Sequence, residues 1–129
     1  MKILLVDDEA MHRALLEDIF SKWPEHKITS VASGQAALDL LKTSGQTFDI
    51  VFLDIKMPGL SGLQVLEQLW ESPLHRSLEI VMCSTLDDKP TIIKAIELGA
   101  RHYMVKPATE KSVAKKLQQI AKIPDASVS

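Results

Sequence analysis

The chain has 129 residues, of which 46% are hydrophobic and 25% are charged, as is typical of one compact globular domain. Its formal net charge of −2 at pH 7 gives no electrostatic reason to expect nucleic acid or an anionic membrane as a partner. The single cysteine, Cys83, excludes an intramolecular disulfide, and no apolar run approaches the roughly 20 residues of a membrane-spanning helix. We therefore expect a cytoplasmic protein.

Five short apolar runs recur along the chain, and a helical pattern follows each of them. The runs occupy residues 3–6, 26–31, 50–53, 80–83 and 103–105. Apolar runs that do not alternate with polar residues are typical of strands buried on both faces, as in a parallel sheet. The chain therefore predicts five strands of this kind.

The first three helices are bounded by residues that commonly begin or end helices. The first is predicted over residues 9–23, because apolar residues recur there at helical spacing and Pro24 follows. Ser33 is a suitable N-cap for the second helix, and Gly45 lies just beyond its predicted end. The third helix is predicted over residues 62–70.

The last two helices carry similar boundary signals. Asp87 or Asp88 is predicted to cap the fourth helix, and Gly99 follows its last turn. Thr109 is predicted to begin the fifth helix. The residues from 123 to 129 show no apolar periodicity, so we expect an irregular C-terminal tail there.

Strand and helix alternate five times, which predicts an α/β fold with a doubly wound parallel sheet and helices on both faces. We expect residues 1–122 to form one domain and residues 123–129 to be the tail. In such sheets, ligands bind at the carboxyl ends of the strands. The residues that directly follow the apolar runs are therefore the candidates for chemistry.

Acidic, hydroxyl and cationic side chains follow four of the five predicted strands. They are Asp7, Asp8 and Glu9 after the first strand, Asp54 after the third, Ser84 and Thr85 after the fourth, and Lys106 after the fifth. Clustered carboxylates repel one another, and a hard divalent cation such as Mg²⁺ relieves that repulsion. One carboxylate can then act as a nucleophile toward phosphorus, with Mg²⁺ and a lysine neutralising the phosphoryl oxygens. The pattern favours Mg²⁺-dependent phosphoryl transfer to aspartate.

Four segments carry these residues in order: ILLVDDE at 3–9, DIVFLDIKMPG at 49–59, IVMCST at 80–85 and GARHYMVKP at 99–107. In sequence and spacing they resemble the receiver domains of bacterial response regulators, and the resemblance extends from residue 1 to about residue 122. It implies a flavodoxin-like fold, with five parallel strands in the order 2-1-3-4-5 and five helices. It also implies a cis peptide bond between Lys106 and Pro107.

The resemblance assigns the acceptor and the metal ligands. Asp54 matches the phosphoacceptor. Asp7 and Asp8 match the acidic pair that holds Mg²⁺ together with Asp54, and the backbone carbonyl of Lys56 matches a further protein ligand. Lys106 matches the lysine that pairs with the phosphoryl group.

The resemblance also implies how the domain signals. Ser84 matches the switch hydroxyl and Tyr103 the aromatic switch residue, while Thr85 stands where the family usually has Ala or Gly and is expected to modulate access to the phosphoryl group. A sensor histidine kinase or a histidine phosphotransfer protein is the implied phosphodonor. A downstream protein is expected to bind the surface of the fourth helix, fifth strand and fifth helix. The domain would be a phosphoacceptor switch and not an enzyme, although it assists its own phosphorylation and dephosphorylation.

Three alternatives are open at this point. The chain could be a receiver cut from a longer regulator that also carries an effector domain. A phosphatase of the haloacid dehalogenase type uses similar residues, but it places an Asp-x-Asp nucleophile after its first strand, where this chain has the adjacent pair Asp7 and Asp8. A flavin-binding module on the same fold would need a phosphate-binding loop there, and the acidic pair would repel a phosphate.

Overall fold

The computed structural model describes residues 1–43, 47–71, 78–85 and 89–128. Strands and helices alternate five times along the chain, as the sequence predicted. In chain order the elements are β1 (Lys2–Val6), α1 (Ala10–Phe20), β2 (Lys27–Val31), α2 (Gly34–Thr43), β3 (Ile50–Asp54), α3 (Gly62–Trp70), β4 (Glu79–Ser84), α4 (Lys89–Glu97), β5 (His102–Val105) and α5 (Glu110–Val128). Each strand lies within one residue of its predicted bounds at either end.

The five strands form one sheet in the order β2-β1-β3-β4-β5, and every neighbouring pair is parallel. This is the order that the family resemblance implied. The peptide bond between Lys106 and Pro107 is cis, again as the resemblance implied.

Helices cover both faces of the sheet, which explains why the strands are apolar throughout. In β3, Ile50 and Phe52 belong to one buried cluster, which contains residues of α1 and α5. Val51 and Leu53 belong to a second cluster, which contains residues of α2, α3 and α4. Because successive side chains of a strand point to opposite faces, a strand that is buried on both faces needs apolar residues at every position.

The helix boundaries follow local backbone chemistry. The hydroxyl of Ser33 accepts the backbone N–H of Ala36 at 3.1 Å, so the predicted N-cap of α2 is confirmed. Gly99 follows α4 with φ of 98°, a left-handed conformation that glycine adopts readily. The other predicted boundary residues, Gly45, Asp87 and Asp88, lie outside the described residues.

The first helix is shorter than predicted, because it ends at Phe20 and not at Trp23. Residues 21 and 22 form a turn instead, in which the N–H of Trp23 donates to the carbonyl of Phe20. Proline disfavours the helical conformation in the residue before it, so Pro24 acts on the chain upstream of its own position.

The last helix begins after Thr109, as predicted, but it continues to Val128. The prediction of an irregular tail over residues 123–129 therefore differs from the structure as far as residue 128. That prediction rested on missing apolar periodicity, but a segment without an apolar stripe can continue an established helix, because propagation does not repeat the cost of nucleation. The domain boundary at residue 122 stays a prediction. Within the described ranges, no helix combines the length and the apolar character that crossing a membrane requires.

Candidate functional site

The sheet register brings the first and third strands to a common end. Strands β1 and β3 are neighbours, and Val6 pairs with Leu53 at the last paired position. The next residues along the two strands are Asp7 and Asp54, which therefore lie side by side. Asp7 lies two residues beyond Leu5, and Asp54 lies two residues beyond Phe52. Leu5 and Phe52 belong to the core on the side of the sheet that α1 and α5 cover, so the pleat directs both carboxylates to that side. Asp7 is 2% exposed and Asp54 is 3% exposed.

Lys106 reaches the same point from β5. Its Nζ lies 3.1 Å from Oδ2 of Asp7 and 3.4 Å from Oδ1 of Asp54, and it also donates a hydrogen bond to Glu9. Strand β4 separates β5 from β3 in the sheet, so only a long side chain can cover this distance. One ammonium group thus faces three carboxylates.

The acidic groups respond differently to this environment. Burial, with the charge of Asp7 as the second cause, raises the pKa of Asp54 to about 7, although Lys106 opposes the shift. Burial also acts to raise the pKa of Asp7, but hydrogen bonds from His12, the N–H of Glu9 and Lys106 outweigh it and lower that pKa. Asp7 is therefore the carboxylate that stays ionised, and Asp54 is the one that needs more positive charge.

The pKa of Lys106 is raised. Burial acts to lower this pKa, but the hydrogen bond to Glu9 and the charges of Asp54 and Asp7 outweigh it. Lys106 therefore remains a permanent cation at neutral pH, which is what a residue that neutralises a phosphoryl group must be.

The donor set fits a hard divalent cation. Carboxylate oxygens of Asp7, Glu9 and Asp54 all lie within 4.8 Å of one another. Oδ2 of Asp54 is buried and has no hydrogen-bond partner among the described residues, which is costly unless a ligand satisfies it. Mg²⁺ prefers oxygen ligands of this kind and retains several waters.

Two of the predicted metal ligands, Asp8 and the backbone carbonyl of Lys56, are not part of this carboxylate cluster. Asp8 is exposed and does not belong to the cluster, whereas its neighbour Glu9 does. Lys56 has an exposed side chain, and only its backbone carbonyl was assigned to the metal. The assignments of Asp8 and of the Lys56 carbonyl therefore stay predictions.

The loop after Asp54 passes very close to the end of β3. The N–H of Gly62 donates to the carbonyl of Ile55 at 2.8 Å. A Cβ at Gly62 would lie 2.2 Å from the carbonyl oxygen of Asp54, so only glycine fits there. Gly59 has φ of 75° in the same loop. The close approach of Gly62 holds the loop against the end of β3.

The predicted switch residues lie on the opposite face of the sheet from the carboxylates. Tyr103 pairs with Met82, a residue of the core on the α2, α3 and α4 side, and the half-buried Tyr103 borders a cavity of about 90 Å³ beside α4. Ser84 lies two residues beyond Met82, so it has the same orientation, and its hydroxyl donates to the carbonyl of Thr85 at 3.2 Å. Thr85 is exposed at the end of β4. The switch roles of Ser84 and Tyr103 and the role of Thr85 in access to the site stay predictions.

His12 is the residue that sequence reasoning missed. The sequence analysis assigned it no role, but its Nδ1 lies 2.6 Å from Oδ2 of Asp7 and its side chain is buried. A usable signal was present, since His12, Leu16 and Phe20 share the buried face of α1 at spacings of four residues. A polar residue in the first turn of that buried face lies over the end of β1.

The model of the response regulator receiver domain family matches residues 3–118, so the chain belongs to that family. It is a phosphoacceptor switch domain of two-component signalling, and the acidic cluster of Asp7, Glu9 and Asp54 fits the phosphorylation site. This membership favours the switch over the phosphatase and flavin-binding alternatives.

Three comparisons illustrate the relationship. The chain is 29% identical over 121 residues to chemotaxis protein CheY of Thermotoga maritima, covering 94% of this chain and 98% of that protein. It is 32% identical over 129 residues to a protein-glutamate methylesterase/protein-glutamine glutaminase of Desulfotalea psychrophila, covering 95% of this chain but 35% of that relative. The structure of chemotaxis protein CheY4 of Vibrio cholerae shares the fold, with a TM-score of 0.81 at 24% identity over 92% of this chain and 97% of that one. The chain thus spans the length of some relatives and about a third of another.

Proposed function

We propose that Asp54 accepts a phosphoryl group from a phosphohistidine of a sensor histidine kinase or a histidine phosphotransfer protein. One observation carries this proposal. Asp54 is buried at the carboxyl end of β3, has one carboxylate oxygen without a partner among the described residues, and lies 3.4 Å from Nζ of Lys106. It is a nucleophile beside a fixed cation.

In the proposed step, a carboxylate oxygen of Asp54 forms a bond to phosphorus while the bond from phosphorus to the imidazole nitrogen breaks. The electron pair of the broken bond stays on the departing imidazole, which takes a proton from solvent. Lys106 neutralises the negative charge on the phosphoryl oxygens. Bound Mg²⁺, held by Asp7, Asp54, Asp8 and the Lys56 carbonyl, would supply the remaining charge neutralisation.

The phosphoryl group is proposed to act through Ser84 and Tyr103. The Ser84 hydroxyl donates to the Thr85 carbonyl in the present state, and it would exchange that partner for a phosphoryl oxygen. The accompanying movement of Ser84 would let Tyr103 turn inward beside α4. A ligand shifts such an equilibrium only through contacts that differ between the two states, and Ser84 provides one.

We propose that the output is a protein contact on α4, β5 and α5. Two large apolar residues of α4, Ile93 and Ile96, are 56% and 60% exposed, which suits a surface that binds a protein partner. Receiver domains of this family signal to downstream targets, which supports a protein partner at this surface. The cytoplasmic location of this domain stays a prediction.

The decisive experiment is intact-mass spectrometry after incubation with acetyl phosphate and Mg²⁺. Wild type should gain the mass of one phosphoryl group and Asp54→Asn should not. Asp49→Asn is the matched control, because Asp49 precedes the same strand at its other end and accepts the backbone N–H of Lys2 at 2.8 Å. Labelling of Asp54→Asn as strong as that of wild type would overturn the proposal.

A further inference from the structure

His12 uses both ring nitrogens in the interior of the protein. Its Nδ1 lies 2.6 Å from Oδ2 of Asp7, and the backbone N–H of Ala108 donates to its Nε2 at 3.2 Å. The residue is 6% exposed. The ring therefore joins the acidic site to the segment after β5 that also carries Lys106.

These two contacts define one tautomer of the imidazole. Because the N–H of Ala108 donates to Nε2, that nitrogen must offer a lone pair and carries no proton. The proton of the neutral ring is then on Nδ1, where it is donated to the Asp7 carboxylate. Both polar atoms of this buried side chain are thereby satisfied in a single orientation.

The hydrogen bond from His12 also determines which carboxylate oxygen of Asp7 remains available to a cation. Oδ2 accepts from His12 and lies 3.1 Å from the ammonium of Lys106, so both of its lone pairs are directed at donors. Oδ1 accepts the N–H of Glu9 at 2.9 Å and keeps a second lone pair. With the carboxylate held in this rotation, Oδ1 is the oxygen left to face a cation or its water.

We propose that His12 is a positioning residue, which donates from Nδ1 to hold the Asp7 carboxylate in the rotation that Mg²⁺ binding requires and which ties that carboxylate to the Lys106 segment through Ala108. This inference rests on the proposed function, because it takes Asp7 as a metal ligand. Hydrogen-bonding partners behind a ligating carboxylate commonly change metal affinity by about 10- to 100-fold when they are removed. We expect a loss of that size when the Nδ1 donor is removed.

Three variants separate the two contacts. His12→Asn places an amide N–H near the position of Nδ1, so it retains the donor to Asp7 but cannot reach Ala108. His12→Gln places its amide oxygen near the position of Nε2, so it can accept from Ala108 but leaves Asp7 without this donor. His12→Leu removes both. His26→Leu is the matched control, because Nδ1 of His26 contacts the N-terminal amine of Met1 at 3.2 Å, away from the site.

The measurement is the Mg²⁺ dissociation constant, obtained by following amide NMR shifts without any phosphodonor, together with the ¹⁵N shifts of the His12 ring in wild type. We expect Nδ1 to show the shift of a protonated nitrogen and Nε2 that of an unprotonated one. Affinity should fall by about 10-fold or more in His12→Leu and His12→Gln, while His12→Asn and His26→Leu should stay close to wild type.

Several outcomes would overturn the role of His12. One is a ¹⁵N spectrum of wild type that shows the proton on Nε2 and not on Nδ1. This result needs no variant, so it decides the question even if the leucine variant does not fold. Unchanged Mg²⁺ affinity in His12→Gln would also overturn the role. Equal losses of Mg²⁺ affinity in the asparagine and glutamine variants would overturn it too, since packing alone would then explain the effect. In each of these cases wild type still binds Mg²⁺, and the proposed function stands. A wild type that does not bind Mg²⁺ would overturn the metal assignment and this role together.

Discussion

The unusual ionisation of Asp54 should be visible in the pH dependence of folding stability. Burial raises the pKa of Asp54 from 3.8 to about 7. Below 3.8 the carboxyl group is protonated in both folded and unfolded chains. Between 3.8 and about 7 the folded chain keeps a proton that the unfolded chain has lost, so the free energy of unfolding falls as pH rises. Above that range both forms are ionised and the full destabilisation is present.

The size of this effect follows from the shift. Each pKa unit corresponds to about 1.4 kcal/mol, so the shift sets a ceiling of about 4 kcal/mol. Asp54 shares its surroundings with Asp7 and Lys106, which adjust when its charge changes, so we expect about 2 to 4 kcal/mol. Asp54→Asn, which cannot ionise, should therefore be more stable than wild type by that amount at about pH 8, and similar to it near pH 4.

Urea unfolding of both proteins from about pH 4 to about pH 8, with a metal chelator present, measures the difference directly. Burial lowers the pKa of His26, and this contribution falls in the same pH range, but it is common to both proteins and cancels in the difference. Added Mg²⁺ should stabilise wild type above pH 7, because a bound cation favours the ionised carboxylate. Parallel stability curves without Mg²⁺ would refute the argument, since Asp54 would then have an ordinary pKa despite its burial.

Three further predictions concern the metal, the switch and access to the site. Asp8→Ala should weaken Mg²⁺ binding and block labelling of Asp54, and unchanged affinity in an NMR titration would give Asp8 another role. Ser84→Ala should still be phosphorylated but should show smaller amide shift changes around Tyr103 with the beryllium fluoride mimic. Shift changes equal to those of wild type would mean that the signal does not pass through the Ser84 hydroxyl. Thr85→Ala should shorten the lifetime of the phosphoryl group, as measured by intact mass over time, because it opens the path of the attacking water; an unchanged lifetime would exclude a barrier at this position.

Much of the fold could be predicted because it depends on local patterns. Runs such as residues 50–53 identify strands buried on both faces, and Ser33 marks the start of its helix. The end of α1 was harder to predict from the sequence, because Pro24 restricts the conformation of the residue before it. The last helix continues to Val128, past the predicted boundary, because missing apolar periodicity does not prevent an established helix from propagating.

The site was predictable for a different reason. In a parallel sheet all strands end at the same edge, so Asp7, Asp54 and Lys106 were expected to meet there, and the structure brings them within 3.4 Å of the lysine nitrogen. The hydrogen bonds among them were not predictable. His12 gave a weak signal, and Glu9 was recognised as an acid without its link to Lys106.

The sequence by itself determined which residues could carry the chemistry, because residue type and position after a strand are properties of the chain. Only the tertiary structure decided how those residues share their donors and charges. Three features arise where elements distant in sequence meet: the Asp54 oxygen that has no partner within the described part of the chain, the tautomer of His12, and the pairing of Lys106 with Glu9. Their geometry depends on side-chain rotamers and on the burial that sheet and helices impose together, and distances of a few ångströms between such groups decide their pKa values.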